Sequence, residues 1–262
     1  MPSPVNSIEP AVVDGARARL AFWLRNDAAH LLWPAHCMAC GERGDGYDLC
    51  ARCTAVLPWN PSGCVRCAIP LPKVEGDGPQ TCGICLQHAG ESARRGRAAP
   101  LAEVHAAFVY AAPVDRLLLR FKFHHDLAAG GLLAQLMAQT LSTAPRPEAL
   151  VPVPLHRARL RQRGYDQALE LARPLARALG LPLLDGALRR VRATAAQSQL
   201  DAAQRRRNLK DAFELSAGLA LPAHVALVDD VMTTGATLRA ASLALRRGGV
   251  QRVDAWVCAR VP

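Results

Sequence analysis

Lysine is nearly absent from this 262-residue chain. Lys73, Lys122 and Lys210 are its only lysines, although Lys and Arg together number 32 against 22 acidic residues. The formal charge of +10 is therefore carried by guanidinium groups. These suit anionic partners such as phosphate, pyrophosphate or nucleic acid, while a solvated basic surface gives the same charge. None of the lysines follows a glycine, so a G-x-x-x-x-G-K-[ST] loop and P-loop ATPase chemistry are excluded. No G-x-G-x-x-G follows a strand-like run, which removes the dinucleotide-binding fingerprint. Aromatic residues make up 5% of the chain, few for a base-stacking platform, with Tyr47, Trp59 and Tyr165 the candidates. No apolar run reaches spanning length, and no basic stretch leading into an apolar one opens the chain. A cytoplasmic protein without a membrane span is expected. No Ser-His-Asp or Cys-His arrangement stands out, so no catalytic residue is assigned.

What is present divides the chain. Half the residues are hydrophobic, enough for a full α/β domain plus a small module. Residues 1–33 read as an amphipathic helical segment, with Leu20, Trp23, Leu24, Leu31 and Leu32 at helical spacing. Eight of the nine cysteines fall between 37 and 85 in four Cys-x-x-Cys pairs, CMAC, CARC, CVRC and CGIC. Two thiolates at that spacing bind one tetrahedral metal from a tight turn, so four pairs make two complete sites. Zinc is the expected occupant, with iron the chemical alternative. Disulfides fit poorly with a cytoplasmic chain. Chain order groups Cys37, Cys40, Cys50 and Cys53 into one site and Cys64, Cys67, Cys82 and Cys85 into the other. A crossed pairing competes. Closed four-thiolate sites are structural, so His36 and His88 read as bystanders. The module is taken as residues 34–90, followed by a polar, basic linker at 91–100, "ESARRGRAAP".

From 101 to 262 strand-like and helix-like runs alternate: "VHAAFVYAAP", "VDRLLLRFKF", "LLAQLMAQTL", "ALVPVP", "DQALELARPLARALG", "VALVDD", "GATLRAASLALRRGG" and "VDAWVCARV". This predicts a mostly parallel sheet with helices on both faces. Cys258, in the last run, reads as a buried small hydrophobe.

The segment "VALVDDVMTTGATL" carries chemistry. Ligands of such sheets bind at the carboxyl ends of the strands, where Asp229 and Asp230 close a buried apolar run. The loop through Thr233, Thr234, Gly235, Ala236 and Thr237 then delivers backbone N–H groups, hydroxyls and a helix amino terminus into one small space, an anion nest for a phosphate monoester. The two carboxylates need hydrogen-bond donors or positive charge. A vicinal diol with a divalent cation supplies both, and a ribose 5-phosphate unit carries phosphate and diol together. A second basic segment, "LHRARLRQRG", follows "VPVP" at another strand end with Arg157 and Arg163. A third, "RATAAQSQLDAAQRRRN", contributes Arg192, Thr194, Gln197, Arg206 and Asn208. Each arginine has solvated surface charge as its plain alternative.

The acidic strand end and Thr/Gly loop resemble the phosphoribosyl pyrophosphate (PRPP) motif of type I phosphoribosyltransferases. There the acidic pair contacts the ribose hydroxyls and the loop holds the 5-phosphate. The resemblance extends to the ComF/GntX family, which joins a cysteine-rich double zinc ribbon to a phosphoribosyltransferase-like domain. "LLWPAHCMAC", "RFKF" at 120–123, "VPVPLHRARLRQRGYDQALELA" and "RATAAQSQLDAAQRRRNLKDAF" carry it. It implies the type I phosphoribosyltransferase fold, zinc in the two cysteine sites, Mg²⁺ with PRPP, and pyrophosphate or hood contacts from Arg157, Arg163, Arg192, Gln197, Arg206 and Asn208. Where the family usually shows Arg-Gly-Phe-Asn-Gln, this chain reads Arg163, Gly164, Tyr165, Asp166, Gln167, and the aspartate adds negative charge near an anionic ligand. Two functions follow from the resemblance. One is a PRPP-using transferase. The other is a non-catalytic accessory factor for DNA uptake that binds single-stranded DNA or uptake proteins and keeps a sensing or vestigial PRPP site.

Overall fold

The computed structural model describes residues 36–43, 48–72, 78–94, 96, 99–192 and 212–262. The helix expected over 1–33, Tyr47, and the basic segment containing Thr194, Gln197, Arg206 and Asn208 lie outside these residues. The chain divides into two compact units, Met1–Ala55 and Val56–Pro262, a boundary that falls between the two pairs of Cys-x-x-Cys turns.

The first unit contains tight turns and the short helix α1 (Ala51–Ala55). The Cys37 N–H donates to Glu42 O (2.6 Å) and the Gly41 N–H to Cys37 O (2.7 Å). The turn closes with Gly41 at φ +80°, a left-handed conformation that glycine adopts without a Cβ penalty.

The second unit opens with the other cysteine turns and helix α2 (Gly83–Arg94), which runs into the stretch expected as linker. Strand β1 (Val104–Val109) leads to helices α3 (Val114–Phe123) and α4 (Leu127–Leu141). Strand β2 (Ala149–Pro152), helix α5 (Arg157–Arg163) and helix α6 (Gln167–Leu179) follow. Next come strands β3 (Leu188–Arg190) and β4 (Phe213–Leu215), then β5 (His224–Met232), helix α7 (Ala236–Arg247) and β6 (Arg252–Arg260). The four longer strands form one sheet in the order β1-β6-β5-β2, every pair parallel. The α/β architecture expected from the alternating runs is thus the one observed. Unexpected are the antiparallel pair β3-β4, which brings Arg190 opposite Phe213 at the two flanks of the basic segment, and the helical form of "RARLRQR".

Val225 to Val228 are all fully buried, as a strand covered on both faces requires. Successive side chains alternate between the faces. Val225, Leu227, Ala255 and Val257 join Leu238, Ala241 and Leu245 of α7 in one core cluster. Ala226, Val228 and Trp256 point to the other face, where α4 and α6 pack on each other and on the sheet. Gly130 of α4 lets the Phe121 ring lie against the helix, since a Cβ there would meet that ring. Helix α6 starts at Asp166, whose side chain accepts from the Ala168 and Leu169 N–H groups, and ends at Gly180 with φ +60°.

Polar contacts fasten two edges of the sheet. The cysteine turns of this unit bond to β1: the Asn60 N–H donates to Ala107 O (3.0 Å), the Val109 N–H to Pro58 O (2.8 Å) and the Val104 N–H to Val65 O (2.8 Å). Trp59 packs on Phe108 with ring centroids 4.6 Å apart, and Arg260 Nε donates to Cys67 O (2.8 Å). At the amino-terminal edge of the sheet, the buried Asp254 carboxylate accepts from Arg252 Nε (3.1 Å to Oδ2) and the Glu103 N–H (3.1 Å), and meets His224 Nε2 at 2.7 Å. Arg252 also donates to Glu103 (2.7 Å), whose other oxygen meets His105 Nε2 at 3.0 Å.

Candidate functional site

The eight clustered cysteines gather as chain order suggests. The sulfurs of Cys37, Cys40, Cys50 and Cys53 lie within 4.8 Å of one another, as do those of Cys64, Cys67, Cys82 and Cys85. Four thiolates around a tetrahedral zinc at about 2.3 Å stand about 3.8 Å apart. Cys40 and Cys50 Sγ are 3.8 Å apart, as are Cys67 and Cys82 Sγ. Burial raises the Cys37 thiol, but hydrogen bonds from the N–H groups of Cys50, Cys40 and Ala39 outweigh it and bring the group down to about 6. Cys64 behaves alike and falls to about 7, against burial, through the N–H groups of Cys82, Arg66 and Cys67. Cys53 is pushed up to about 12 by burial and by its sulfur neighbours. Four thiols crowded this way ionise together only around a cation, and each cluster fits a structural zinc with no protein ligand missing.

The second site lies at the carboxyl ends of the strands. Strand β2 stops pairing with β5 at Pro152 opposite Val228. Strand β5 continues alongside β6 through Asp229, Val231 and Met232. The sheet therefore steps down beside the two acids, and alternation turns them to opposite faces. Asp230 meets Lys122 Nζ of α3 at 2.9 Å, with 13% of its side chain exposed. Among the described residues the Asp229 carboxylate accepts one hydrogen bond, from the Asp230 N–H (2.9 Å). Burial, then the charge of Asp230, pushes Asp229 up to about 8; Asp166 adds to this and Lys122 opposes it.

Beyond the acids, Gly235 is buried with φ +70° and caps α7. A Cβ there would strike the Met232 side chain. The Thr234 hydroxyl accepts from the Ala236 N–H (3.4 Å), and the Arg239 guanidinium donates to Thr234 O. Thr233 and Thr234 are exposed, while Ala236 and Thr237 are half-buried on the first turn of the helix. The remaining N–H groups of that turn have no intrahelical acceptor. Small residues and hydroxyls stand around this helix start, which follows the two acids in the chain.

The basic residues are distributed less evenly. Arg157 is exposed on α5, whose amino end is capped by His156 Nδ1 accepting from the Ala158 N–H (3.2 Å). Arg163 donates to Gln167 Oε1 (2.7 Å) and lies 5.4 Å from the Phe123 ring centroid. Arg192 is exposed just after β3. Asp166 is first a helix cap: besides its contacts to α6, its carboxylate accepts from the Leu155 N–H (2.7 Å) and so ties the loop after β2 to that helix. Burial raises it, and Asp230 contributes. Burial and Arg159 lower Arg190, while Asp229 and Asp166 support it, so the antiparallel pair reaches the same neighbourhood. Tyr165 is spent on internal contacts, 5.7 Å from Phe121 and 5.6 Å from His125 between ring centroids.

Sequence reasoning missed Lys122 and Phe123. Lys122 stands 108 positions before its carboxylate partner; its rarity and its place in "RFKF" are the available signals. Phe123, 61% exposed beside Arg163, is the exposed aromatic the region offers, a place Tyr165 was expected to fill.

These parts define an α/β protein with a parallel sheet and an amino-terminal cysteine-rich zinc module. The family model described as "Double zinc ribbon domain" matches residues 28–89. Competence protein F of Haemophilus influenzae is 42% identical over 159 residues, covering 58% of this chain and 69% of that protein. The DNA utilization protein YhgH of Escherichia coli K12 is 32% identical over 223 residues, 82% of this chain and 91% of the relative. Competence protein ComFC of Bacillus subtilis is 25% identical over 248 residues, 90% of this chain and its whole length. The chain belongs to the ComF family. No helix among the described residues is long and apolar enough to cross a membrane.

Proposed function

We propose that the chain is a PRPP-binding, phosphoribosyltransferase-like protein that serves DNA uptake or nucleotide metabolism in the cytoplasm. The observation that carries this reading is the step in the sheet: two carboxylates emerge past the end of β2, beside a helix start capped by a left-handed glycine. Asp229 and Asp230 accept from the ribose hydroxyls. The backbone and hydroxyls of Thr233, Thr234, Gly235, Ala236 and Thr237 hold the 5-phosphate. Arg157, Arg163 and Arg192, with Gln197, Arg206 and Asn208 of the hood segment, surround the pyrophosphate. Mg²⁺ suits a donor set of carboxylate and phosphate oxygens, and when bound it offsets pyrophosphate charge. Transfer breaks the bond between the anomeric carbon and pyrophosphate through an oxocarbenium-like state. That step needs charge stabilisation and exclusion of water rather than a protein nucleophile. In this reading residues 34–90 are the double zinc ribbon, 91–100 a linker and 101–262 the PRPP-binding domain. Relatives named competence protein and DNA utilization protein support the link to DNA uptake.

A calorimetric titration with PRPP, with and without Mg²⁺, tests the reading. Wild type should bind in the presence of Mg²⁺, and the variant with Asp229→Asn and Asp230→Asn should not. Equal binding by both would remove the site assignment. Pyrophosphate release in the presence of an acceptor nucleophile distinguishes turnover from sensing.

One observation favours the accessory reading. Exposed Phe123 stands beside Arg163, close in sequence to exposed Arg157, Arg159 and Arg161 on α5, and an aromatic among arginines suits a single-stranded nucleic acid. Binding of single strands should then weaken steeply with salt, and Phe123→Ala should weaken it further. Absence of single-strand binding at low salt would exclude this alternative.

A further inference from the structure

Among the described residues Lys122 is the cation ion-paired with Asp230, and the fold anchors the helix end that carries it. Its neighbour Phe121 is fully buried against Gly130 and the Tyr165 ring. The corner after α3 is fixed by Arg120 bonded to Asp126 (2.6 Å), and Asp126 in turn caps α4 by accepting from the Ala129 N–H (3.0 Å). The end of the helix is thus anchored on both sides, and Lys122 reaches Asp230 from an element far away in the chain. Both side chains are largely shielded, at 20% and 13% exposure. The carboxylates of Asp229 and Asp166 act on the same region. Beside Lys122 these carboxylates are oxygen donors of the kind that hard divalent cations seek, and the Arg190 guanidinium is a second positive charge acting on Asp229 and Asp166.

An ammonium group 2.9 Å from a carboxylate oxygen and a divalent cation on the same oxygen repel each other strongly in partly shielded surroundings. A lysine is a compact point charge and leaves little room for a hydrated cation to approach. We propose that Lys122 is the internal counter-ion of Asp230, and that it keeps free divalent cations off the acidic pair, so that metal enters this site only together with a phosphorylated ligand. The last clause rests on the PRPP reading; the exclusion of free metal does not. When a ligand's hydroxyls take Asp230, the released ammonium is free to meet the phosphate groups that arrive with them. Lys122 is a positioning residue in this scheme. It sets which partner the carboxylates accept.

Manganese titration of the zinc-loaded, full-length protein, followed by the electron paramagnetic resonance signal of free Mn²⁺, tests this without PRPP. Lys122→Met should bind Mn²⁺ at least about tenfold more tightly than wild type, a difference of about 1.4 kcal/mol. Lys122→Arg, which keeps the charge, should bind as weakly as wild type. Adding Asp230→Asn to Lys122→Met should abolish the gain. Lys122→Gln serves as a second neutral variant should Lys122→Met fail to melt cooperatively. Equal Mn²⁺ affinity in wild type and the neutral variants overturns the proposal, as does a gain that survives loss of Asp230. Failure of wild type to bind Mg-PRPP would instead overturn the proposed function and leave the manganese result standing.

Discussion

The two edges of one parallel sheet hold aspartates, one fully buried and one half-buried, and treat them in opposite ways. At the amino-terminal edge Asp254 is fully buried and surrounded by donors: Arg252, His224 and the Glu103 N–H. At the carboxyl edge Asp229 accepts a single backbone N–H among the described residues and sits against two more carboxylates. A buried charge with its hydrogen bonds satisfied is a structural part. One held among like charges is costly, and such costs concentrate where a ligand later relieves them. The same residue type, on neighbouring strands, is a fastening at one edge and, in the proposed function, a ligand-facing group at the other.

That contrast can be broken by mutation. The largest effect should follow Asp254→Ala, which strands Arg252 and His224 without their shared acceptor. Breaking a buried ion pair costs about 3–5 kcal/mol. At roughly 2–4 °C per kcal/mol for a unit of this size, thermal melting should fall by about 10 °C. An unchanged melting temperature would erase the distinction between the edges.

Asp229→Asn should act in the opposite direction. The folded protein holds this carboxyl at about 8, whereas an unfolded aspartate titrates near 3.9. Between those values the folded state keeps a proton that the unfolded state releases, so wild-type stability is greatest below the lower value and is lost as pH rises through the upper one. The asparagine variant escapes this loss. Its melting temperature should match wild type near the acid end of the window and exceed it by several degrees at the alkaline end. A constant difference across the window would mean that Asp229 is not the titrating group.

A smaller effect is expected from Gly235→Ala, since a left-handed residue with a Cβ costs about 1 kcal/mol and this one also meets Met232. Melting should drop by roughly 2–4 °C, with a disproportionate loss of phosphate-ligand affinity in calorimetry. His105→Ala should matter least. Its contact with Glu103 is partly exposed, at 25% and 29%, and such pairs contribute under about 1 kcal/mol. A loss as large as that of Asp254→Ala would extend the buried network to the surface.

How far these features could be read in advance depended on their range along the chain. The buried run at 225–228, the helix stopped by Gly180 and the four cysteine turns are written in local spacing, and each is where the spacing implied. Strands β3 and β4 are three residues each, too short for alternation to register. Helix α5 has no buried residue, so no apolar period marks it. Asp166 reads as added charge in the sequence, but the backbone of the loop before it turns that charge inward as a cap. The Lys122–Asp230 pair and the bonds between the cysteine turns and β1 join residues far apart, and nothing local announces them.

Those bonds to β1 carry a consequence for solubility. β1 is the last strand on its side of the sheet, and its backbone groups at 104, 107 and 109 are taken up by residues 65, 60 and 58 of the cysteine turns. Withdraw the metal, let those turns loosen, and an apolar run, "VHAAFV", presents unpaired N–H and C=O groups to any other strand it meets. Open edges of this kind recruit further chains. On this argument the second four-cysteine cluster guards the sheet edge against self-association. A chelated sample should fail first by concentration-dependent clumping, at protein levels where the zinc-loaded form stays monodisperse.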